Sequence, residues 1–496
     1  MTVEPTTFVQ NVLKLATGTA IAQGLAIIIT PILTRLFAPD AYGIAAMFLS
    51  LSTMISIVSC LRYELSIMLP SDDTEAASLL FVSLFSVVVF AFISFCIVLL
   101  GKDMIIHLLN APKLGPYLWL LPLSILASGF YSAFSYWLSR AKEFGRISAA
   151  TVISTTTGQA SQLGSGVLGY TSGGVIIGAS IFGQVISSVF LGMRTFMNGF
   201  RFFSRSVSWK TMRHGVVRYK KFPLIDIWGA LLNTISWQIP TLMLAAFFSP
   251  AVVGLYAMGN SVVRAPLNLV GGSIAKVFFQ KASEAKTNEI ITNVTERVFE
   301  RLVAFGLFPL LMLSLVGEDL FHVILGAKWA EAGVYTQILA PWMFFTFISS
   351  PLSTLFLIFE RQGTALIFQL AIFLSRFISL YIGGRLGSVY MALLFFTFSG
   401  VIVYGSLCFW NLIISNVPVS FFLKIFSRYL MIFLPSGSLV FLVKHYLNFP
   451  SLITTFLATL LVTTYVLYTL WKDKDLSKSL NFNFSTKKGL PSNETD

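Results

Sequence analysis

The chain has 496 residues, 56% hydrophobic and only 11% charged, with a mean hydropathy of +0.80. Soluble domains are roughly 45 to 50% apolar and about 25% charged, so a water-soluble globular protein is excluded and the bilayer must be the main solvent. The 34 Lys and Arg against 21 Asp and Glu leave a formal +13. On a soluble protein that surplus would point to nucleic acid; in a membrane protein it reads first as basic residues kept in cytoplasmic loops, and no nucleic-acid partner is expected.

Apolar stretches long enough to cross run, in chain order, over 11–36, 43–61, 77–101, 117–139, 147–170, 173–193, 222–248, 251–276, 302–326, 335–358, 363–383, 388–410, 424–443 and 451–471. They are continuous rather than alternating, which favours helices over barrel strands. The expected fold is an all-α membrane protein of about 14 transmembrane helices. Met1 to Gln10 has no basic n-region and no small-residue cleavage site, so the first apolar run is expected to stay as a span. Cys60, Cys96 and Cys408 lie inside apolar runs without paired spacing and read as core residues.

Placing the N-terminus in the cytoplasm puts 24 of the 34 basic residues inside, five outside and five within spans. That bias supports an even span count with both termini cytoplasmic. The tail 472–496 is polar and is expected to be disordered.

The chain repeats itself. Phe37-Ala-Pro39 followed by Gly43 matches Phe248-Ser-Pro250 followed by Gly254, each preceded by a proline within a helix, Pro31 and Pro240. Gly101-Lys102-Asp103 with His107, Tyr117 and Pro122 matches Gly317-Glu318-Asp319 with His322, Tyr335 and Pro341. The offsets, 211 and 216 residues, superpose spans 1 to 6 on spans 7 to 12. The expected organisation is therefore two parallel-repeated six-helix lobes plus two C-terminal helices. An N-lobe covers 1–193, a basic cytoplasmic linker 194–221, a C-lobe 222–410 and helices 13 and 14 the stretch 411–471. Such a two-lobed bundle is a transporter architecture that works by alternating access. The linker reads as a solvated segment at the anionic lipid surface.

A central charge facing lipid would cost roughly 2.5 to 3.5 kcal/mol, so buried charges should face the bundle interior or a hydrated cavity. Arg264 in span 8 lies with Asn260 and Asn268 on one helical face, and Asp226, Asn233 and Trp237 fall near one face of span 7. Lys14, Arg376 and Arg62, which closes span 2, complete the candidate cavity set. For Asp226 with Arg264 or Lys14, a structural ion pair and cavity duty are both open. Arg35 and Lys276 read as snorkelling at helix ends. The Ser, Thr, Gly and Gln of 151–166 suit close helix packing, while Gln159 and Gln162 could line a hydrophilic path. Lys14, Arg264 and Arg376 against Asp226 alone leave the interior positive, which favours an anionic substrate over a cationic one.

Several stretches resemble a known family. Ala16-Thr17-Gly18-Thr19-Ala20 through Leu33-Thr34-Arg35-Leu36-Phe37-Ala38-Pro39 to Tyr42-Gly43 is one, and Leu61-Arg62-Tyr63-Glu64-Leu65 with Leu69-Pro70 is another. Val253-Gly254-Leu255-Tyr256 with Arg264-Ala265-Pro266, and Leu325-Gly326 with Trp329 and Ala332-Gly333, follow in the second half. Together they resemble the polysaccharide-repeat flippases, the O-antigen and capsule translocases of the multidrug/oligosaccharidyl-lipid/polysaccharide superfamily, over spans 1 to 12. The resemblance implies movement of an undecaprenyl-diphosphate-linked glycan from the inner to the outer leaflet of the bacterial cytoplasmic membrane, with no cofactor. It assigns the cavity-facing basic role of helix 8 to Arg264. It also implies contact with membrane lipids, and names the polysaccharide polymerase and chain-length regulator as candidate partners. Helices 13 and 14 depart from the commoner 12-span pattern.

An enzyme, such as a repeat-unit polymerase, would want a large outside loop and paired loop carboxylates, and neither is evident. A cation-coupled drug exporter would want an acidic cavity. The acidic turn of Glu64, Asp72, Asp73 and Glu75 reads as a solvated cytoplasmic loop.

Overall fold

The computed structural model describes residues 5–284, 288–447 and 449–472; within these, the side chains of 5–16, 198, 265, 266, 268–270, 273 and 288 are not described. The tail expected to be disordered lies outside the described residues from 473 onwards. Among the described residues every regular element is helical. Fourteen helices have 20 residues or more: α1 (Pro5–Leu36), α2 (Pro39–Ser59), α3 (Asp73–Leu108), α4 (Leu121–Arg140), α5 (Phe144–Val167), α6 (Gly173–Ser206), α7 (Ile227–Phe247), α8 (Pro250–Ser283), α9 (Asn288–Leu325), α10 (Ala330–Leu352), α11 (Gln362–Arg385), α12 (Val389–Ile414), α13 (Val419–His445) and α14 (Ser451–Lys472). Each overlaps one of the stretches expected from hydropathy.

Twelve segments among the described residues are long and apolar enough to cross a membrane, against the 14 expected; α5 is the fully described long helix not among them, and the side chains of α8 are described only in stretches too short to span. The composition of α5 gives the reason: it is dominated by Ser, Thr, Gly and Gln. Such a helix needs protein, not lipid, around its polar groups. The small residues of α5 do what close packing requires: a Cβ on Gly183 of α6 would sit 2.3 Å from the Ser154 carbonyl, and one on Gly158 3.2 Å from that of Ala179.

The stretch 194–221 is mostly helix rather than open linker. α6 runs past its expected end to Ser206, and a further helix, Trp209–Arg218, starts from a capping box between Ser208 and Thr211. It lies on α3, where Ser78 Oγ donates to Thr211 Oγ1 at 2.9 Å and Arg218 pairs with Glu75 at 2.9 Å.

The repeat seen in sequence is also a repeat of packing. In the first half α1 packs on α5, α5 on α6, α3 on α4, α4 on α6 and α2 on α4. In the second half α7 packs on α11, α11 on α12, α9 on α10, α10 on α12 and α8 on α10, each pair displaced by six helices. α13 and α14 sit on α9, held by Lys444 to Asp319 at 2.8 Å and by Tyr465, whose hydroxyl donates to the Ala304 carbonyl at 2.7 Å while its ring stacks on Phe308.

The two halves meet mainly through α2 against α8 and α2 against α7. The α2–α8 crossing is made by the repeated motif itself. A Cβ on Gly43 would fall 1.7 Å from the Pro250 carbonyl oxygen, and one on Gly254 would fall 1.9 Å from that of Pro39, so the backbones touch reciprocally. Trp329, 0% exposed, seals the same end: its indole N–H donates to the Thr34 carbonyl at 2.8 Å and its ring meets Tyr42 edge-on. Because a Cβ at this crossing has only backbone to displace, Gly254→Ala is expected to destabilise the protein by about 1 to 3 kcal/mol. A lowered melting midpoint in detergent would show it, and an unchanged midpoint would contradict the contact.

Candidate functional site

A cavity of about 260 Å³ is bounded by α7, α8 and α10, with Trp237, Arg264, Leu267, Trp342 and Phe347 in its wall. Arg264 reaches it because α8 brings a mid-helix cation against the face of Trp237, Cζ to ring centroid 4.1 Å. Arg376, from α11, lies against the same ring at 4.2 Å. Two guanidiniums thus share one indole, and a ring face attracts each by about 0.5 to 2 kcal/mol. Neither has a carboxylate ion-pair partner among the described residues.

Arg376 is 2% exposed and its position has a local cause in α7. Pro240 has no N–H, so the Ser236 carbonyl four residues earlier loses its helical donor. Arg376 supplies the replacement, donating from Nη1 to Ser236 O at 2.5 Å and from Nη2 to the Tyr404 hydroxyl at 2.8 Å. One side chain therefore ties α7, α11 and α12 together and satisfies a backbone group that hydrocarbon could not. Its Nε has no hydrogen-bond partner. The described residues hold no cluster of three or more His, Cys, Asp or Glu arranged to bind a metal ion.

A second charged group lies at the opposite end of the bundle from Trp329. Arg62, just past α2, donates from Nε to Asp226 Oδ2 at 2.7 Å and lies 3.5 Å from Glu64. Asp226 closes a π-turn, Phe222–Asp226, that leads into α7, so this ion pair joins the two halves. Between the two ends of the seam, Ser50 donates to Gln238 Oε1 at 3.0 Å.

The sequence-derived set is therefore split. Arg264 and Arg376 come together around Trp237; Arg62 and Asp226 come together elsewhere. The considered pairing of Asp226 with Arg264 gives way to Asp226 with Arg62, because Asp226 sits before the first turn of α7 while Arg264 is in the middle of α8. Asn233 accepts from Gln369 Nε2 of α11 at 3.3 Å, so it joins helices rather than lining the cavity. Asn260 Oδ1 is buried without a partner. The side chains of Lys14 and Asn268 lie outside the described residues. Glu64 is not the solvated loop carboxylate expected: it is 4% exposed, packed under the turn between α2 and α3. Trp342, Tyr404 and the Ser236 carbonyl were not singled out from the sequence; the one signal that could have found them is Pro240, which announces a carbonyl in need of a donor.

The Pro240 explanation is testable by a double-mutant cycle. Arg376→Leu should cost about 1.5 to 3 kcal/mol, the range for a hydrogen bond from a charged group. Part of that cost should vanish in a Pro240→Ala background, where the helix regains its own donor. Strict additivity in thermal unfolding would refute the coupling.

Known proteins frame this geometry. The chain matches the structure of a lipid II flippase, MurJ, in an inward closed conformation with a TM-score of 0.66 at 15% identity, over 92% of this chain and 99% of that one. It matches an inward-facing multidrug resistance MATE family transporter of the MOP superfamily with a TM-score of 0.58 at 14% identity, over 81% of this chain and 94% of that one. A MOP superfamily transporter from Pyrococcus furiosus, described by the reverse polarity of its binding pocket, matches with a TM-score of 0.52 at 13% identity, over 82% and 95%. These likenesses establish a flippase and MATE-like fold. No curated protein sequence matches. A family model described as "Polysaccharide biosynthesis protein" matches residues 32–334, more than half of the chain, and the chain belongs to that family.

Proposed function

We propose that the chain carries an undecaprenyl-diphosphate-linked oligosaccharide repeat unit from the inner to the outer leaflet of the bacterial cytoplasmic membrane by alternating access, in O-antigen, capsule or exopolysaccharide synthesis. The observation that carries this reading is a shared wall. The cationic cavity and an apolar groove of about 420 Å³ between α8, α9 and α14 are both lined by Leu267 and Phe347. One compartment offers donors without a carboxylate and the other mainly apolar side chains such as Val262, Leu313, Val316 and Val462, with Thr459 and Thr463 among them. A substrate that is anionic at one point and a long hydrocarbon beside it fits that pair. A diphosphate would take Arg264, whose planar fork matches phosphate oxygens, and the polyprenyl tail would run along α14.

Family membership supports a role in polysaccharide biosynthesis, and the name of the lipid II flippase supports a lipid-linked glycan as cargo. Sugars and charge cannot cross hydrocarbon unaided, since each unpaired hydroxyl costs several kcal/mol; replacing their hydration needs no covalent step. A cation-coupled exporter is the weaker reading, because the one carboxylate on α7's entry, Asp226, is committed to Arg62. In this proposal 1–193 and 222–410 are the lobes, 194–221 joins them on the cytoplasmic face together with both termini, and the Pro39 and Trp329 end faces outwards. Membrane lipids, the polymerase and the chain-length regulator are the remaining partners.

Arg264→Ala is expected to lower repeat-unit export by about tenfold or more, the consequence of losing a hydrogen bond from a charged donor, while the protein still inserts. Arg264→Lys should retain part of the activity. Surface polysaccharide in a deletion strain complemented with each variant is the measurement. Full activity of Arg264→Leu would assign the residue to packing and sink the reading.

A further inference from the structure

At the Arg62 end a single ion pair among the described residues joins the lobes, Arg62 to Asp226, and beside it sits an ionisable group that the function above leaves unused. The chain reaches this point through two consecutive left-handed residues, Leu61 at φ +52° and Arg62 at φ +62°. Neither is glycine, and each such residue costs of order 1 to 3 kcal/mol, so the turn persists only because its surroundings hold it. The turn aims Arg62 across the seam at Asp226 and places Glu64 of the following single-turn helix, Tyr63–Ser66, within 3.5 Å of the same guanidinium. Glu64 Oε2 is buried and has no hydrogen-bond partner. Burial pushes the Glu64 carboxyl up to about 7, against the pull of Arg62, and Asp226 adds to the rise. The other groups facing it are the Cys60 thiol beneath and the Tyr136 hydroxyl of α4. Arg140 of α4 is committed elsewhere, to Asp73 and to the carbonyls of Ile67 and Pro70.

We propose that Glu64 Oε2 is a binding site for a proton, and that its occupancy decides whether Arg62 clamps the two lobes together at this end. With Glu64 neutral, the guanidinium has one anionic partner, Asp226, which belongs to the other lobe, and the seam is latched. When the proton leaves Oε2 for water, a carboxylate in the same lobe competes for Arg62 and repels Asp226 across the seam. Two carboxylates then share one cation in a partly desolvated place, and separation of the lobes relieves it. The sign follows from linkage: the latched state raises the proton affinity of Glu64, so the proton favours the latch, and closure is lost as pH rises through about 7. In the orientation proposed above this end faces the cytoplasm, and the site would couple opening of the substrate path to loss of a proton there. The coupling rests on the flippase reading; the latch is a property of the empty protein.

The test uses the full chain in nanodiscs without substrate. Spin labels at Leu69→Cys and Leu224→Cys, exposed on either side of the seam, report their distance by double electron–electron resonance with Cys60, Cys96 and Cys408 replaced by alanine. Between pH 6 and pH 8 the short-to-long ratio should fall, because Asp226 across the seam raises the proton affinity of Glu64 only in the latched state. Glu64→Gln should stay short at both pH values, and Asp226→Asn should lose the pH response with the long population dominant. A pH-dependent distance that survives in Glu64→Gln, or in Asp226→Asn should the former not fold, would overturn the proposal, as would an unchanged distance in the parent. Because no substrate is present, either result leaves the reading of Arg264 untouched.

Discussion

The reciprocal crossing of Gly43 and Gly254 constrains everything else in this molecule. Each glycine lies one turn into its helix and rests against the proline carbonyl that opens the other, Pro250 for Gly43 and Pro39 for Gly254. Backbone in contact with backbone has no flexible side chain to absorb a change of distance, but it tolerates a change of angle. With Trp329 wedged against Thr34 and Tyr42 beside it, this end of the bundle behaves as a pivot. The opposite end is joined by side chains, chiefly Arg62 to Asp226, which can let go. A duplicated bundle pinned by backbone at one end and by an ion pair at the other has one easy motion, rocking about the pinned end, which opens the Arg62 end.

The charges in the interior follow from a different local event. Pro240 breaks one hydrogen bond of α7, and a buried arginine from α11 repairs it. A serine or water could have done so without charge. Using Arg376 places a permanent cation behind Trp237, while Arg264 on the same ring lines the cavity. A structural repair thus adds a second positive charge on the ring that Arg264 also faces.

The 14 long helices were legible because a bilayer demands an uninterrupted apolar run for each, and that signal is local. The pivot was legible as a repeat, since Phe37 to Gly43 and Phe248 to Gly254 match in type and spacing, although nothing in sequence says that the two copies touch. Arg264 and Arg376 stood out as charges where charge is costly. What stayed hidden depends on tertiary placement. Sequence leaves Asp226 open as a partner of Arg264 or Lys14, yet the π-turn at 222–226 sets it at the end of the bundle beside Arg62. Glu64 was read as solvated because its neighbours Asp72, Asp73 and Glu75 are polar; burial under the α2–α3 turn is a packing outcome that composition cannot reveal. Trp342 and Tyr404 were invisible for the reverse reason, being aromatics among many aromatics.

The Trp237 ring also bears on how such a carrier could release what it holds. A guanidinium left bare in a dry cavity would bind a diphosphate too tightly to turn over, since the alternative to the ligand would be an unsolvated charge. Arg264 has another partner at 4.1 Å, the face of Trp237. If Arg264 takes the diphosphate as proposed, the cation would fall back on the ring when substrate leaves, and the cost of release would be the difference between a phosphate contact and a cation–π contact rather than the whole of the former. Arg376, already bonded to Ser236 and Tyr404, holds that ring in place from α11. Transport of an anionic headgroup would need an affinity strong enough to gather it and weak enough to let it go, and an arginine with a resting place on an indole would supply both.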